Sequence, residues 1–156
     1  MKRTFLLAAG IFSCLFLNAQ SSADFVRSWE KGPDWLKDGV IYQVYPSSYK
    51  DSDGNGIGDI RGVISKLDYI ESLGVRAIWF NPLFVSGWID GGYDVIDFYR
   101  VDPRFGTNND LVELIEKAHA RGIKVMLDLV AGHTSDKHPW FLQSAQDSNL
   151  QYSDYY

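Results

Sequence analysis

Three short apolar runs, separated by two longer stretches of helical period, constrain this chain more than any other feature. Val40 to Tyr45 is rich in β-branched and aromatic residues and stops at Pro46, the pattern of a buried strand running into a loop. Val75 to Phe80 is closed by Asn81-Pro82, as expected of a strand covered on both faces, and Ile123 to Val130 is the third such run. Between the first two, apolar residues recur at Ile60, Val63, Ile64, Leu67, Ile70 and Leu73, with Arg61, Lys66, Asp68 and Glu71 interspersed. That spacing predicts one amphipathic helix over 60–73, capped at its C-terminus by Gly74. A second helix opens between Thr107 and Asp110, turns Leu111, Leu114, Ile115 and Ala118 inward, and ends at Gly122; His119 on it is a surface residue. Strand, helix, strand, helix, strand is the order of the α/β class, with a parallel sheet and right-handed crossovers.

The chain ahead of these elements has a different character. Lys2 and Arg3 precede an apolar run from Phe5 to Leu17 that ends in Asn18-Ala19, the pattern of a secretory signal peptide over 1–19 cleaved after Ala19. The run is short for a transmembrane span, and no later stretch approaches the ~20 apolar residues such a span needs. The expectation is a soluble, secreted or periplasmic protein; Ser13-Cys14 within the run leaves lipoprotein anchoring as the alternative. Removing the segment removes the single cysteine, so the remainder holds no internal disulfide. It also leaves thirteen basic against twenty acidic residues, a formal charge of −7 that makes nucleic acid an unsuitable partner. Residues 20–37 read as a polar lead-in, in which Gly32-Pro33 argues against a continuous helix.

In an α/β fold, ligands gather where loops leave the C-terminal ends of the strands, and three loops do so here. The first holds Asp51-Ser52-Asp53-Gly54-Asn55-Gly56-Ile57-Gly58-Asp59, with oxygen side chains at alternate positions and glycines that allow a tight wrap. A hard cation needs that arrangement, with the Ile57 backbone carbonyl as a further ligand. The twelfth position is Gly62 rather than a bidentate Glu, and strand and helix replace the two helices of an EF-hand, so a calcium loop outside an EF-hand stands beside a solvated turn without metal. The second connection, from Asn81 to Gly106, is far longer than usual and carries Asp90-Gly91-Gly92-Tyr93-Asp94. Asp90 would accept hydrogen bonds from sugar hydroxyls, and the Tyr93 ring would cover a pyranose face with its hydroxyl left available; a turn with a core-packed Tyr93 is the other reading. The third strand ends in Asp128-Leu129-Val130-Ala131-Gly132-His133-Thr134-Ser135, which sets Asp128 at the strand end and His133 just past it. In a parallel barrel those positions belong to an active site, and elsewhere they form a satisfied polar pair.

Asp38-Gly-Val-Ile-Tyr-Gln-Val-Tyr-Pro46, the loop from Asp51 to Asp59, Gly92-Tyr93-Asp94, and Asp128 through His133, in that order and spacing, resemble the alpha-amylase superfamily of glycoside hydrolases. The continuation Thr134-Ser135-Asp136-Lys137-His138-Pro139-Trp140-Phe141 is most similar to its oligosaccharide-active alpha-glucosidase branch. The resemblance implies a TIM (β/α)8 barrel, of which residues 38–156 hold about three strands and the start of an excursion after the third. It implies calcium on Asp51, Asp53, Asn55, the Ile57 carbonyl and Asp59. It places Asp90, Tyr93 and His133 around the sugar ring, with Asp128 organising the floor of the site. Gly132 stands where the family commonly has Asn, so no second calcium site carries over through that position. Trp140 and Phe141 would line the excursion or be buried.

The family's nucleophile and acid/base lie on later strands, so they are expected beyond Tyr156, none of the catalytic residues falling within this chain. The implied parent is a retaining glycosidase acting on alpha-linked oligosaccharides or glucans, with the 156-residue piece inactive alone. The alternatives are a non-catalytic carbohydrate-binding or transporter-associated relative, and a sugar-transferring or isomerising member of the same superfamily. Oligomeric state has no signature in the sequence.

Overall fold

The computed structural model describes residues 32–146 and 151–156, so the signal-peptide segment, Cys14 and most of the lead-in lie outside the described residues. Two compact units divide at Asp38. The described part of the first is a single helical turn, α1 (Asp34–Lys37), starting directly after Pro33.

The second unit contains all of the predicted α/β order. Strands β1 (Ile41–Val44), β2 (Ala77–Phe80) and β5 (Lys124–Leu127) form a parallel sheet in the order β1-β2-β5. Ile41, Ala77 and Lys124 share one level, and Val44, Phe80 and Leu127 another. Pro46 ends β1 as expected, because its fixed φ suits the first position of the short helix α2 (Pro46–Tyr49).

The predicted helix over 60–73 is broken in two, α3 (Ile60–Ile64) and α4 (Leu67–Ser72). Ser65 causes the interruption: its hydroxyl donates to the Gly62 carbonyl at 2.6 Å, while the Lys66 amide bonds back only three residues, to Val63. The amphipathic face survives the break, with Ile60, Val63, Leu67 and Ile70 all buried. Helix α5 (Asn108–Ala120) follows its prediction closely. Thr107 and Asp110 form a reciprocal capping box at its start, and Gly122, at φ 72°, sits beyond its end in a conformation only glycine adopts freely.

The long connection after β2 is not a plain loop. It contains an antiparallel hairpin of β3 (Phe84–Ser86) and β4 (Val95–Val101), whose register shifts twice within three residues. Beyond β5 come α6 (Pro139–Ser144) and a 3₁₀ turn at Ser153–Tyr155. Among the described residues no helix is long and apolar enough to cross a membrane.

The helices cover one face of the sheet. Tyr42, Val44, Ile78, Phe80, Val125 and Leu127 pack there with Ile60, Val63, Leu67, Ile70, Leu114 and Ala118. The other face carries Ile41, Gln43, Trp79 and Met126; Ile41 and Met126 remain 36% and 38% exposed, and Gln43 is exposed. β1 was expected to be buried, yet only its helix side is: Ile41 and Gln43 on the opposite side are exposed.

Candidate active site

The sheet places the ends of β1, β2 and β5 at one edge, and the polar residues that follow them form a connected network. Asp128 comes directly after β5, its amide bonded to the Phe80 carbonyl. One of its carboxylate oxygens accepts from the Trp79 indole N–H at 2.6 Å and the other from the Tyr93 hydroxyl at 2.7 Å. Asn81, just past β2, donates from its side-chain amide to the Tyr93 hydroxyl at 3.0 Å and accepts from Gln43 at 3.1 Å. Three strands and the long loop are thus tied at one point by charge-assisted and neutral hydrogen bonds.

Tyr93 is the centre of this arrangement. Its amide donates to the Asp90 carbonyl at 2.9 Å, its hydroxyl donates to Asp128, and its carbonyl faces His133 Nε2 at 3.1 Å. Since a carbonyl can only accept, Nε2 carries the proton in this contact. All four residues expected to meet a sugar, Asp90, Tyr93, Asp128 and His133, are therefore brought together through one residue. Asp90 and His133 are exposed, as groups that receive a ligand must be. The Tyr93 hydroxyl was expected to stay available; instead it is committed to Asp128 and Asn81, which leaves the ring as its exposed resource. The Asp128 carboxylate beside it, together with burial, raises the Tyr93 pKa, with Asn81 working the other way.

The loop that carries Asp90 is held at its base by Asp94. That carboxylate accepts from the Ile89 and Asp90 amides, each at 3.2 Å, and the Asp94 carbonyl accepts from the Gly87 amide. Neither this role nor those of Asn81 and Trp79 is readable from local sequence. Asn81 reads as a strand terminator and Trp79 as core, and only alternation along β2, which puts the two on one face, hints that they act together.

The loop between α2 and α3 forms a separate acidic centre. Carboxylate oxygens of Asp51, Asp53 and Asp59 lie within 4.8 Å of one another. The loop's own backbone arranges them. Asp51 accepts from the amides of Asp53, Gly54 and Gly56, Asp53 from that of Asn55, and Asp59 from those of Ser52 and Gly62. Asn55 spends its side-chain oxygen on the Ile57 amide and its nitrogen on Asp53, so it lies within the wrap, and Ile57 packs its side chain against the core.

The amides of Gly56 and Gly54 hold the Asp51 pKa below its ordinary value. For Asp59, burial pushes upward, but the amides of Ser52 and Gly62 outweigh it and the net shift is also down. Each carboxylate retains at least one oxygen with a free lone-pair direction, because an oxygen accepts two bonds and most here accept one. Three carboxylates converging in this way suit a hard divalent ion. Asp59 also caps α3 through Gly62, and a side chain at Gly62 would collide with the Lys50 carbonyl, so loop and helix are fixed to each other.

After β5 the chain forms an aromatic group. Trp140 contacts Phe98, His138, Tyr152 and Tyr155, and together with Phe141 and Tyr156 it borders a cavity of about 660 Å³ that reaches His133. Trp140 and Phe141 are half-buried and do line the start of this segment. His119 on α5 is exposed, as expected.

Residues 43–156 match the family described as "Alpha amylase, catalytic domain". The chain belongs to the alpha-amylase family. The oligo-1,6-glucosidase of Heyndrickxia coagulans is 48% identical over 79% of this chain and 22% of that protein. The trehalose-6-phosphate hydrolase of Escherichia coli is 48% identical over 80% and 22%. Among solved structures, the trehalose-6-phosphate hydrolase of Bacillus licheniformis superposes with a TM-score of 0.77 at 50% identity, covering 80% of this chain and 22% of that one. The isomaltulose synthase of Klebsiella sp. LX3 gives the same TM-score at 48% identity over the same shares. This alpha-amylase family chain thus spans about a fifth of the length of the curated relatives it matches.

Proposed function

We propose that this chain is the opening part of the (β/α)8 catalytic barrel of an exported, calcium-binding glycosidase that hydrolyses alpha-glucosidic bonds of oligosaccharides with retention. The observation that carries the reading is the convergence on Tyr93. A carboxylate, an imidazole and an aromatic ring meet at the C-terminal edge of a parallel sheet, the place where barrel enzymes bind substrate. Asp90 and His133 hold hydroxyls of the ring whose bond is cut, and Tyr93 stacks on its apolar face. Asp128 is a brace rather than a reacting group, since both of its oxygens are engaged by Trp79 and Tyr93. The nucleophile and the acid/base belong to the chain past Tyr156, as in the family, so residues 1–156 alone turn nothing over. The hydrolase names of the relatives support hydrolysis, and the charged, apolar and small-residue order of residues 1–19 supports export. Calcium is held by Asp51, Asp53, Asn55, the Ile57 carbonyl and Asp59, where it would fix the geometry of the loop leading into α3.

Turnover of a chromogenic alpha-glucoside by the product of the complete reading frame, with the anomer of the released glucose followed by NMR, tests this reading. The expected result is alpha-glucose released first and no action on the beta-glucoside. Release of beta-glucose, or no turnover of any alpha-glucoside, would overturn it. A second reading, transfer or isomerisation rather than hydrolysis, draws on the similarity to isomaltulose synthase and to the trehalose synthase/amylase of Mycobacterium tuberculosis. Products formed from maltose and sucrose distinguish the two.

A further inference from the structure

Trp88 is the one non-glycine residue with positive φ among the described residues, at 57°. A bulky side chain in that region is an outlier that persists only where its surroundings hold it. Glycine would adopt the same backbone without strain, and Gly87 and Gly91 stand one and three positions away, so the tryptophan is kept for its side chain. That side chain is held by the segment that follows β4. Its indole N–H donates to the buried Asp102 carboxylate at 3.1 Å, and its ring meets Phe105 edge-on at 5.5 Å between centroids. The Arg104 guanidinium lies over its ring at 4.5 Å. Asp102 is itself fixed by the Ser86 and Arg104 amides, and Phe105 is fully buried.

Trp88 therefore anchors the outer half of the 87–94 loop onto the segment between β4 and α5. Asp94 closes its base, where a side chain at Gly87 would crowd the Asp94 carboxylate at 2.5 Å. Between the two anchors lie Asp90 and the Tyr93 amide bonded to it. Asp90 is only two positions past Trp88 and Tyr93 only five, so the direction in which Trp88 leaves the hairpin sets where both begin. We propose that Trp88, through Asp102, Arg104 and Phe105, is a positioning residue for the sugar-binding loop. The proposal rests on the glycosidase reading for its kinetic consequence, although not for its structural one.

Two variants of the complete protein test it. Trp88→Gly removes the anchor while keeping the backbone relaxed, and Trp88→Phe keeps the ring under Arg104 but loses the bond to Asp102. Hydrogen exchange at the Ile89 and Asp90 amides, which bond to Asp94, is expected to speed up by about tenfold or more in Trp88→Gly, with the β2 and α5 amides unchanged. KM for the alpha-glucoside is expected to rise about tenfold with a smaller change in kcat, and Trp88→Phe is expected to recover most of both. Unaltered exchange at Ile89 and Asp90 overturns the proposal, as does acceleration spread evenly over the fold. Should wild type turn over no alpha-glucoside, the glycosidase reading fails and the exchange result still decides the role of Trp88. If Trp88→Gly does not fold, Arg104→Gln at the partly exposed end of the anchor takes its place, with a smaller rise in exchange expected at the same two amides and no rise there overturning the proposal.

Discussion

Asn81 shows how much of the site is set by side chains with no part in the chemistry. Its amide nitrogen donates to Tyr93 and its oxygen accepts from Gln43, so it ties β1 and β2 to the long loop. Asn81→Ala leaves the Tyr93–Asp128 bond in place and removes two neutral hydrogen bonds. The expected loss is about 1–2 kcal/mol, because a neutral bond nets about 1 kcal/mol against solvent, and urea unfolding of the complete protein would measure it. Contacts of this kind escape a reading of the sequence for a physical reason. Asp90, Tyr93, Asp128 and His133 announce themselves by residue type beside glycines or at a strand end, whereas Asn81 and Trp79 acquire roles through partners 12 and 49 residues away. The same holds for the Tyr93 hydroxyl, committed to an acid 35 residues on.

At the level of elements, legibility follows how local the determinants are. Helix α5 was readable to within a residue or two because its capping box, apolar face and terminal glycine are all local signals. The helix over 60–73 was readable in its buried face but not in its break, which depends on one serine choosing the Gly62 carbonyl. The β3–β4 hairpin was not readable: β3 is three residues long and its register shifts destroy the alternation that reveals a strand. The capping box also carries a pH dependence. Hydrogen bonds from Thr107, opposed by burial and aided by Arg61 at 2.6 Å, hold the Asp110 pKa below its ordinary 3.8. A carboxylate with a depressed folded pKa contributes stability above the unfolded pKa and loses it as pH falls through the folded value. Asp110→Ala is expected to cost about 1–2 kcal/mol at neutral pH, from the lost capping bonds with Thr107. Its thermal midpoint is also expected to fall less steeply than that of wild type below pH 3.8, the sign of a missing titrating group.

For the whole molecule, the second unit is asymmetric: one face of its parallel sheet is packed by helices and the other, with Ile41, Trp79 and Met126, is partly open. A parallel barrel resolves that asymmetry by turning the open face inward. The acidic loop stiffens the same unit, because Asp59 both belongs to the carboxylate group and caps α3. Calcium is therefore expected to raise the melting temperature of the complete protein by an amount that grows with its concentration, and Asp53→Ala to abolish the increase. Equal shifts in wild type and variant would remove the metal from the account.

Whether the loops after β2 and β5 make one sugar site around Tyr93 is measured most directly by kcat/KM of the complete protein toward isomaltose and maltose. Tyr93→Ala, which removes the stacking ring and the tie to Asp128 together, is expected to lower kcat/KM by about a hundredfold or more, and Tyr93→Phe, which keeps the ring, by far less. A Tyr93→Ala enzyme as active as wild type would contradict the account.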